Sequence, residues 1–207
     1  MKFIVITSPT FIPDEALRIE ELFDNGLDTL HLRKPGATAD DCRRLLDELP
    51  DCCRRRIVVH DSFELCRDYG LAGIHLNRRN PDIPASIAAE RERFTVSASC
   101  HSIAEAAEKK AQTDYIFLSP IFDSISKEGY QAAYTPAELA QAAADGIIDS
   151  RVTALGGITA DGINRLRQWH FGGAAFLGDV WNRAGSDDFV SHAKALAEML
   201  HKQADDV

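Results

Sequence analysis

The sequence predicts an α/β fold, a single (β/α)8 barrel of the TIM type that spans residues 1–207 as one domain. Short apolar runs rich in β-branched residues recur along the chain, most are followed by an amphipathic segment, and eight such repeats fit in 207 residues. Alternating strands and helices favour a parallel sheet, and eight units at this length suit a compact closed barrel. A doubly wound open sheet is the alternative, although no GxGxxG follows the first run.

Each predicted strand is a run of four or five mostly apolar residues. The runs cover 3–7, 29–33, 57–60, 73–76, 95–99, 115–119, 152–155 and 174–177. About eight helices should lie between and after them. Helix start signals precede several amphipathic segments, namely Pro13-Asp14, Thr38, Ser102, Thr135-Pro136, Thr159 and Ser186.

Charge and composition argue against several classes of function. The chain carries 23 basic and 32 acidic residues, a net charge of -9, which disfavours nucleic acid and anionic membranes as general partners. No apolar run approaches the roughly 20 residues of a membrane span, and the start of the chain has no signal-peptide pattern. The five cysteines show neither metal-site nor disulfide spacing, so we expect a cytoplasmic protein.

Polar side chains collect at the carboxyl ends of the predicted strands, where the active site of such a barrel lies. Strand two is the clearest case, because side chains two apart share a face. Leu30 and Leu32 should pack under the helices, while His31 and Arg33 should face the barrel mouth. An unpaired guanidinium is costly to bury, so Arg33 should have an anion nearby, either an internal carboxylate such as Asp61 or a bound ligand.

Glycine turns indicate what that ligand carries. Gly156-Gly157 stands between strand seven and a helix, and Gly178 follows strand eight. Backbone N–H groups at such turns suit a phosphate, and the loops after strands seven and eight often build the phosphate site of these barrels. Lys34, next to Arg33, adds a second positive charge and favours an external anion over an internal carboxylate.

A long loop follows strand six, at residues 120–135. It carries two hydroxyls and an ammonium close together, at Ser124, Ser126 and Lys127. Such a loop could close over a charged ligand and exclude water; a solvated polar loop is the alternative.

Five longer motifs link these clusters: HLRKPGA, HDSFELCRDYGLAGIHLNRRN, VSASCHSIAEA, DYIFLSPIFDSISKEGY and ALGGI. As a set they resemble the thiamine-phosphate synthase family and its relatives, the thiazole tautomerases, from the first strand to about Trp181. The resemblance implies a transferase of thiamine biosynthesis that joins hydroxymethylpyrimidine diphosphate to thiazole phosphate. The reaction would release pyrophosphate with assistance from Mg²⁺.

The resemblance also implies a role for individual residues. The implied catalytic residues are Arg33, His101 and Lys127. The implied substrate-binding residues are His31, Arg33, Lys34, His60, Ser99, Ser124, Ser126, Lys127, Gly156, Gly157 and Gly178. The implied magnesium ligands are Asp61 and Asn80.

Five positions depart from the family pattern. His31 replaces a glutamine, Pro35 a lysine, His60 an asparagine and Asn80 a carboxylate, and Asp179 follows the glycine after strand eight. Mg²⁺ prefers carboxylates and substrate phosphates, so Asn80 should weaken metal binding. The lost lysine removes a charge-assisted contact of about 1.5–3 kcal/mol. Asp179 would repel a phosphate unless its side chain turns away.

Two other functions remain open at this point. By resemblance, a thiazole tautomerase moves a proton within a carboxylated thiazole phosphate and needs neither diphosphate nor Mg²⁺. The segment SCHS would place the acid and base role on His101, with Arg33 or Lys34 holding the carboxylate, and histidine suits proton transfer near neutral pH. The third possibility is a barrel that binds a phosphorylated ligand without catalysis.

Overall fold

The computed structural model describes residues 1–123 and 132–202 and shows a closed barrel of eight parallel strands. The strands run in chain order, and β8 pairs with β1. They are β1 (Lys2–Ile6), β2 (Thr29–Leu32), β3 (Ile57–Val59), β4 (Gly73–Leu76), β5 (Thr95–Cys100), β6 (Tyr115–Leu118), β7 (Val152–Leu155) and β8 (Gly173–Phe176). The predicted (β/α)8 barrel is confirmed, and the open sheet is excluded because closure leaves no strand edge.

Helices cover the outside of the barrel. In the described residues they are α1 (Glu15–Asp24), α2 (Ala39–Glu48), α3 (Asp51–Arg54), α4 (Glu64–Asp68), α5 (Ala85–Ala88), α6 (Ile103–Lys109), α7 (Pro136–Ala144), α8 (Ile163–Gln168), α9 (Gly178–Trp181) and α10 (Phe189–His201). A 3-10 turn at Ala160–Gly162 leads into α8. Within 1–123 and 132–202, no helix has the length and apolar character that crossing a membrane requires.

Three predicted start signals cap their helices as expected. Thr38 and Thr135 form capping boxes with the residues three positions later, and the Ser102 hydroxyl accepts a hydrogen bond from the N–H of Glu105. Three others make no side-chain cap: Asp14, Thr159 and Ser186. The last helix begins at Phe189 rather than directly after Ser186, because the Ser186 hydroxyl bonds to Asp188 within a turn of its own.

Strand alternation divides the buried side chains into two layers. Leu30 and Leu32 belong to the large apolar core between strands and helices, as predicted. The barrel interior holds a small apolar cluster of Ile4, Ile6, Phe117 and Ala175. Beside it lie buried polar side chains, namely His31, His60, His75, Ser97 and Thr153. The interior is therefore only partly apolar, and its three histidines and Ser97 lie on or directly after β2 to β5.

Candidate functional site

A cavity of about 420 Å³ opens at the carboxyl ends of the strands, where the active site of this fold is expected. The structure brings seven of the predicted site residues to its walls: Arg33, His60, Ser99, His101, Gly156, Gly157 and Gly178. Another hollow, of about 530 Å³, lies at the opposite end of the barrel, beside the amino end of β5. That hollow contains none of the predicted residues, so the carboxyl-end cavity is the candidate site.

Arg33 is held at the cavity wall by its backbone. Its N–H donates to the Thr7 hydroxyl (2.9 Å), and that hydroxyl donates to the Arg33 carbonyl (3.0 Å), which locks the ends of β1 and β2 together. Among the described residues, no acceptor lies within hydrogen-bond distance of the guanidinium. Burial lowers the pKa of Arg33, as does the neighbouring Arg79, while Asp61 opposes the shift. The guanidinium therefore has no bonded anion in 1–123 and 132–202 and can bind one in the cavity.

The glycine turn after β7 is shaped by its neighbours. Gly156 and Gly157 have φ angles of +95° and +64°, a region that glycine adopts without steric cost. A Cβ on Gly157 would lie 2.2 Å from the carbonyl oxygen of Asp123. The N–H groups of Gly157 and Gly178 have no acceptor among the described residues, and both glycines line the cavity. They are available donors for a phosphate.

A chain of hydrogen bonds forms the floor of the cavity. The hydroxyl of Tyr115 lies 2.7 Å from Nε2 of His31, and Nδ1 of His31 lies 2.9 Å from Nε2 of His60. His31 is fully buried and both its ring nitrogens are engaged, whereas His60 reaches the cavity wall. The prediction that His31 faces the barrel mouth is therefore corrected, because it lies one layer below and supports His60.

A second chain runs through His75. Its Nδ1 is 2.8 Å from the Ser97 hydroxyl, and its Nε2 is 2.8 Å from the Ser99 hydroxyl. Ser97 donates to the carbonyl of Ile74, so the consistent arrangement has His75 donating to Ser97 and accepting from Ser99. Ser99 then presents oxygen lone pairs, rather than its proton, to the cavity.

Burial keeps this histidine cluster neutral. It lowers the pKa of His75 to about 3 and those of His31 and His60 well below the ordinary value. Ligand atoms of the three histidines lie within 4.8 Å of one another. The rings of His60 and His75 are nevertheless stacked, 24° from parallel with centroids 4.2 Å apart, so their in-plane lone pairs do not converge on one ion. The cluster is a hydrogen-bonded floor, not a metal centre.

Lys34 lies away from the cavity, contrary to its prediction as a substrate contact. Its ammonium donates to both carboxylate oxygens of Glu15 (2.5 and 2.7 Å) and to the carbonyls of Ser8 and Thr10. The side chains of Lys34 and Glu15 are 1% and 3% exposed. Because a buried ammonium needs this much compensation, Lys34 anchors the loop between β1 and α1 instead of binding a ligand.

The residues implied as magnesium ligands do not fit that role. Both carboxylate oxygens of Asp61 accept hydrogen bonds from the Arg79 guanidinium, at 2.9 and 3.0 Å. The Asn80 amide nitrogen donates to the same carboxylate at 2.9 Å. A divalent cation here would meet hydrogen-bond donors in place of the oxygen ligands it prefers. Neither residue lines the cavity wall.

The structure also gives the positions of His101 and Asp179, two residues that the sequence analysis singled out. His101 is exposed at the cavity rim, where its Nδ1 lies 3.4 Å from the Ser119 carbonyl oxygen. Asp179 turns its carboxylate toward α10, with Oδ2 2.8 Å from Nε2 of His192. Asp179 still lines the cavity, but its carboxylate is paired with an imidazole and is not left free beside a phosphate.

Several residues of the cavity wall were not among the predicted site residues, and three predicted residues lie where the structure gives no description. Ser124, Ser126 and Lys127 lie outside the described residues and remain predictions. The cavity wall also contains Asn77, Arg78 and Arg79. The two arginines in HLNRRN were visible as a basic pair in the sequence, but nothing in the sequence showed that Arg79 pairs with Asp61.

The family model described as thiamine monophosphate synthase matches residues 3–180. The chain belongs to this family. The match covers seven strands in full, β1 from its second residue and the whole cavity wall, and it agrees with the predicted resemblance. Thiamine-phosphate synthases are transferases of thiamine biosynthesis, the class that the sequence motifs implied, and they generally use Mg²⁺.

Individual relatives agree with the family assignment. Thiamine phosphate pyrophosphorylase from Bacteroides thetaiotaomicron is 43% identical, with a TM-score of 0.85 over 98% of this chain and 100% of that one. The thiamine-phosphate synthase of Chromobacterium violaceum is 30% identical over 83% of this chain and 82% of its own length. That of Halalkalibacterium halodurans is 26% identical over 98% and 96%. The similarity to these relatives extends over most of their length.

Proposed function

We propose that the protein joins hydroxymethylpyrimidine diphosphate to thiazole phosphate and releases pyrophosphate. The bond between the pyrimidine methylene carbon and the diphosphate oxygen breaks, and the thiazole nitrogen forms a new bond to that carbon. One observation carries the proposal: the guanidinium of Arg33 lies half-buried at the cavity wall, with no acceptor among the described residues, in a chain of this family.

The cavity offers separate groups for the two phosphorylated substrates. Arg33 binds the diphosphate and stabilises the negative charge that grows on it as it leaves. The N–H groups of Gly157 and Gly178, on the β7 and β8 side, hold the thiazole phosphate. Ser99, whose hydroxyl proton is directed to His75, accepts a hydrogen bond from the substrate. From the sequence alone, Ser124, Ser126 and Lys127 are proposed to add contacts to the phosphates.

A coupled assay tests this function. Purified protein is mixed with both substrates, and thiamine phosphate is quantified by chromatography alongside released pyrophosphate. We expect equal amounts of the two products, and at least a 100-fold loss of kcat/KM in Arg33→Met. Arg43→Met is the matched control, because Arg43 pairs with Asp40 and Asp68 on the outer surface. Absence of both products from wild-type protein would refute the proposal.

The same protein preparation distinguishes the other functions. A tautomerase would isomerise carboxythiazole phosphate and lose this activity in His101→Ala. A binding barrel would bind thiazole phosphate in a calorimeter but yield no product with either substrate set. We expect neither result, and either one would replace the synthase reaction.

A further inference from the structure

Asp61 is occupied by a cation that belongs to the protein. Nη2 of Arg79 donates to both carboxylate oxygens, and Nε of Arg79 lies 3.4 Å from Oδ1. The Asn80 amide adds a third donor group at Oδ1. The carboxylate that would hold a metal in this family therefore already binds a positively charged group.

The turn after β4 places Arg79 for this contact. The Asn77 side-chain oxygen accepts hydrogen bonds from the N–H of Arg79 (2.9 Å) and the N–H of Asn80 (3.2 Å). The Asn77 amide donates to the carbonyl of His60 at 2.8 Å, which ties the turn to the end of β3. Both partners of the Arg79–Asp61 pair are thus carried on backbone that is fixed to the neighbouring strand.

The pair contributes little to the stability of the fold. The side chains of Arg79 and Asp61 are 54% and 32% exposed, and exposed ion pairs contribute about 0–1 kcal/mol. The consequence of the pair is local: it holds a guanidinium at the cavity wall. Nη1 of Arg79 has no acceptor among the described residues, so the group keeps donors for a ligand.

Among the residues that the structure describes, the arginines at this wall outnumber the carboxylates bonded to them. Arg33, Arg78 and Arg79 all line the cavity, and Asp61 is the carboxylate bonded to one of them. Arg33 and Arg79 are close enough for the charge of Arg79 to lower the pKa of Arg33. Two guanidinium groups that repel each other become favourable neighbours when an anion with several charges lies between them.

We propose that Arg79, fixed by Asp61, takes the place of the divalent cation, so that Arg33 and Arg79 bind a diphosphate group without metal. The choice of diphosphate rests on the proposed function. Guanidinium groups match phosphate oxygens with paired donors, whereas the Asp61 oxygens that Mg²⁺ would need are already bonded to Arg79 and to the Asn80 amide nitrogen.

Calorimetry with inorganic pyrophosphate tests the proposal independently of turnover. Binding is measured in EDTA and in excess MgCl2, for wild type, Arg79→Ala and the control Arg43→Ala. We expect wild type and the control to bind pyrophosphate in EDTA, and Arg79→Ala to bind about 10- to 100-fold more weakly. Binding by wild type that requires MgCl2 would overturn the proposal, as would unchanged binding in Arg79→Ala.

A second variant tests whether Mg²⁺ can take the place of the Arg79 guanidinium once that group is removed. Arg79→Ala combined with Asn80→Asp frees Asp61 and supplies a second carboxylate, which together suit Mg²⁺. We expect this protein to bind pyrophosphate in MgCl2 but only weakly in EDTA. Equal binding in both solutions would show that Arg79 is not the cation and would overturn the proposal.

The two proposals fail in different ways. If wild type binds pyrophosphate in EDTA but forms no thiamine phosphate in either solution, the proposed function fails and the metal-free anion site stands. If thiamine phosphate forms only with MgCl2, and pyrophosphate also binds only with MgCl2, the synthase function stands and the role of Arg79 is refuted.

Discussion

Acid should destabilise this barrel unusually steeply because of its three interior histidines. Burial lowers the pKa of His75 to about 3 and holds those of His31 and His60 well below the ordinary value. The unfolded chain therefore binds protons below about pH 6.5 that the folded chain does not. The stability contributed by the neutral rings is complete above that pH and is lost as the pH falls.

The size of the effect follows from the number of rings. Each histidine lowers the free energy of unfolding by about 1.4 kcal/mol per pH unit once the pH is well below 6.5. Three together give about 4 kcal/mol per unit, or about 3.5 kcal/mol between pH 6 and pH 5. Since domains are stable by about 5–15 kcal/mol, this loss would remove a large share of the stability of the barrel in mild acid.

Urea unfolding followed by far-UV circular dichroism at pH 8, 7, 6 and 5 measures this slope. His75→Phe should reduce the slope between pH 6 and 5 by about a third. Phe117→Leu is the control, because Phe117 contacts the rings of His31 and His75, with centroids 4.6 and 4.8 Å away, and does not titrate. It should lower stability equally at every pH. A wild-type slope below about 1.4 kcal/mol per unit would refute the reasoning.

Three other outcomes are expected from the structure. Lys34→Met leaves the Glu15 carboxylate buried without its partner and should cost about 3–5 kcal/mol in urea unfolding. Adding Glu15→Leu should recover much of that loss, and strictly additive effects would contradict a buried pair. Gly157→Ala forces a Cβ against a carbonyl at positive φ and should abolish thiazole phosphate binding in a calorimeter, whereas Gly185→Ala, in open space, should not. Of the five cysteines only Cys52 is exposed, so Ellman's reagent should label one thiol rapidly in the native protein, and several rapid thiols would contradict the burial.

The strands were predictable because their apolar runs are bounded by turns and capped helices. The runs at 73–76 and 152–155 match β4 and β7 to the residue. The four-residue helices α3, α5 and α9 were not foreseen, because a single turn is too short to show a 3.6-residue period. The prediction that Ser186 caps the last helix was wrong for a different reason. Short side-chain contacts within a turn compete with helix capping.

The site was predictable in its location but not in its pairings. Alternation along β2 correctly assigned Leu30 and Leu32 to the outer layer, but it could not give the depth of His31 inside the barrel. The sequence suggested that Lys34 contacts a ligand. Its actual pairing with Glu15 depends on the fold of the loop between β1 and α1, which no local pattern predicts. The contact between Arg79 and Asp61 joins two loops 18 residues apart, and no local pattern encodes it.

The hydrogen-bonded floor of the barrel has a consequence for protein engineering. Each polar side chain there completes the donors and acceptors of the next, so a single substitution leaves a partner unsatisfied, at a cost of about 1–3 kcal/mol. Libraries that change one interior position at a time should therefore yield mostly destabilised clones. Altered substrate scope would have to come from coordinated replacement of several interior positions together, or from changes at the cavity rim outside this network.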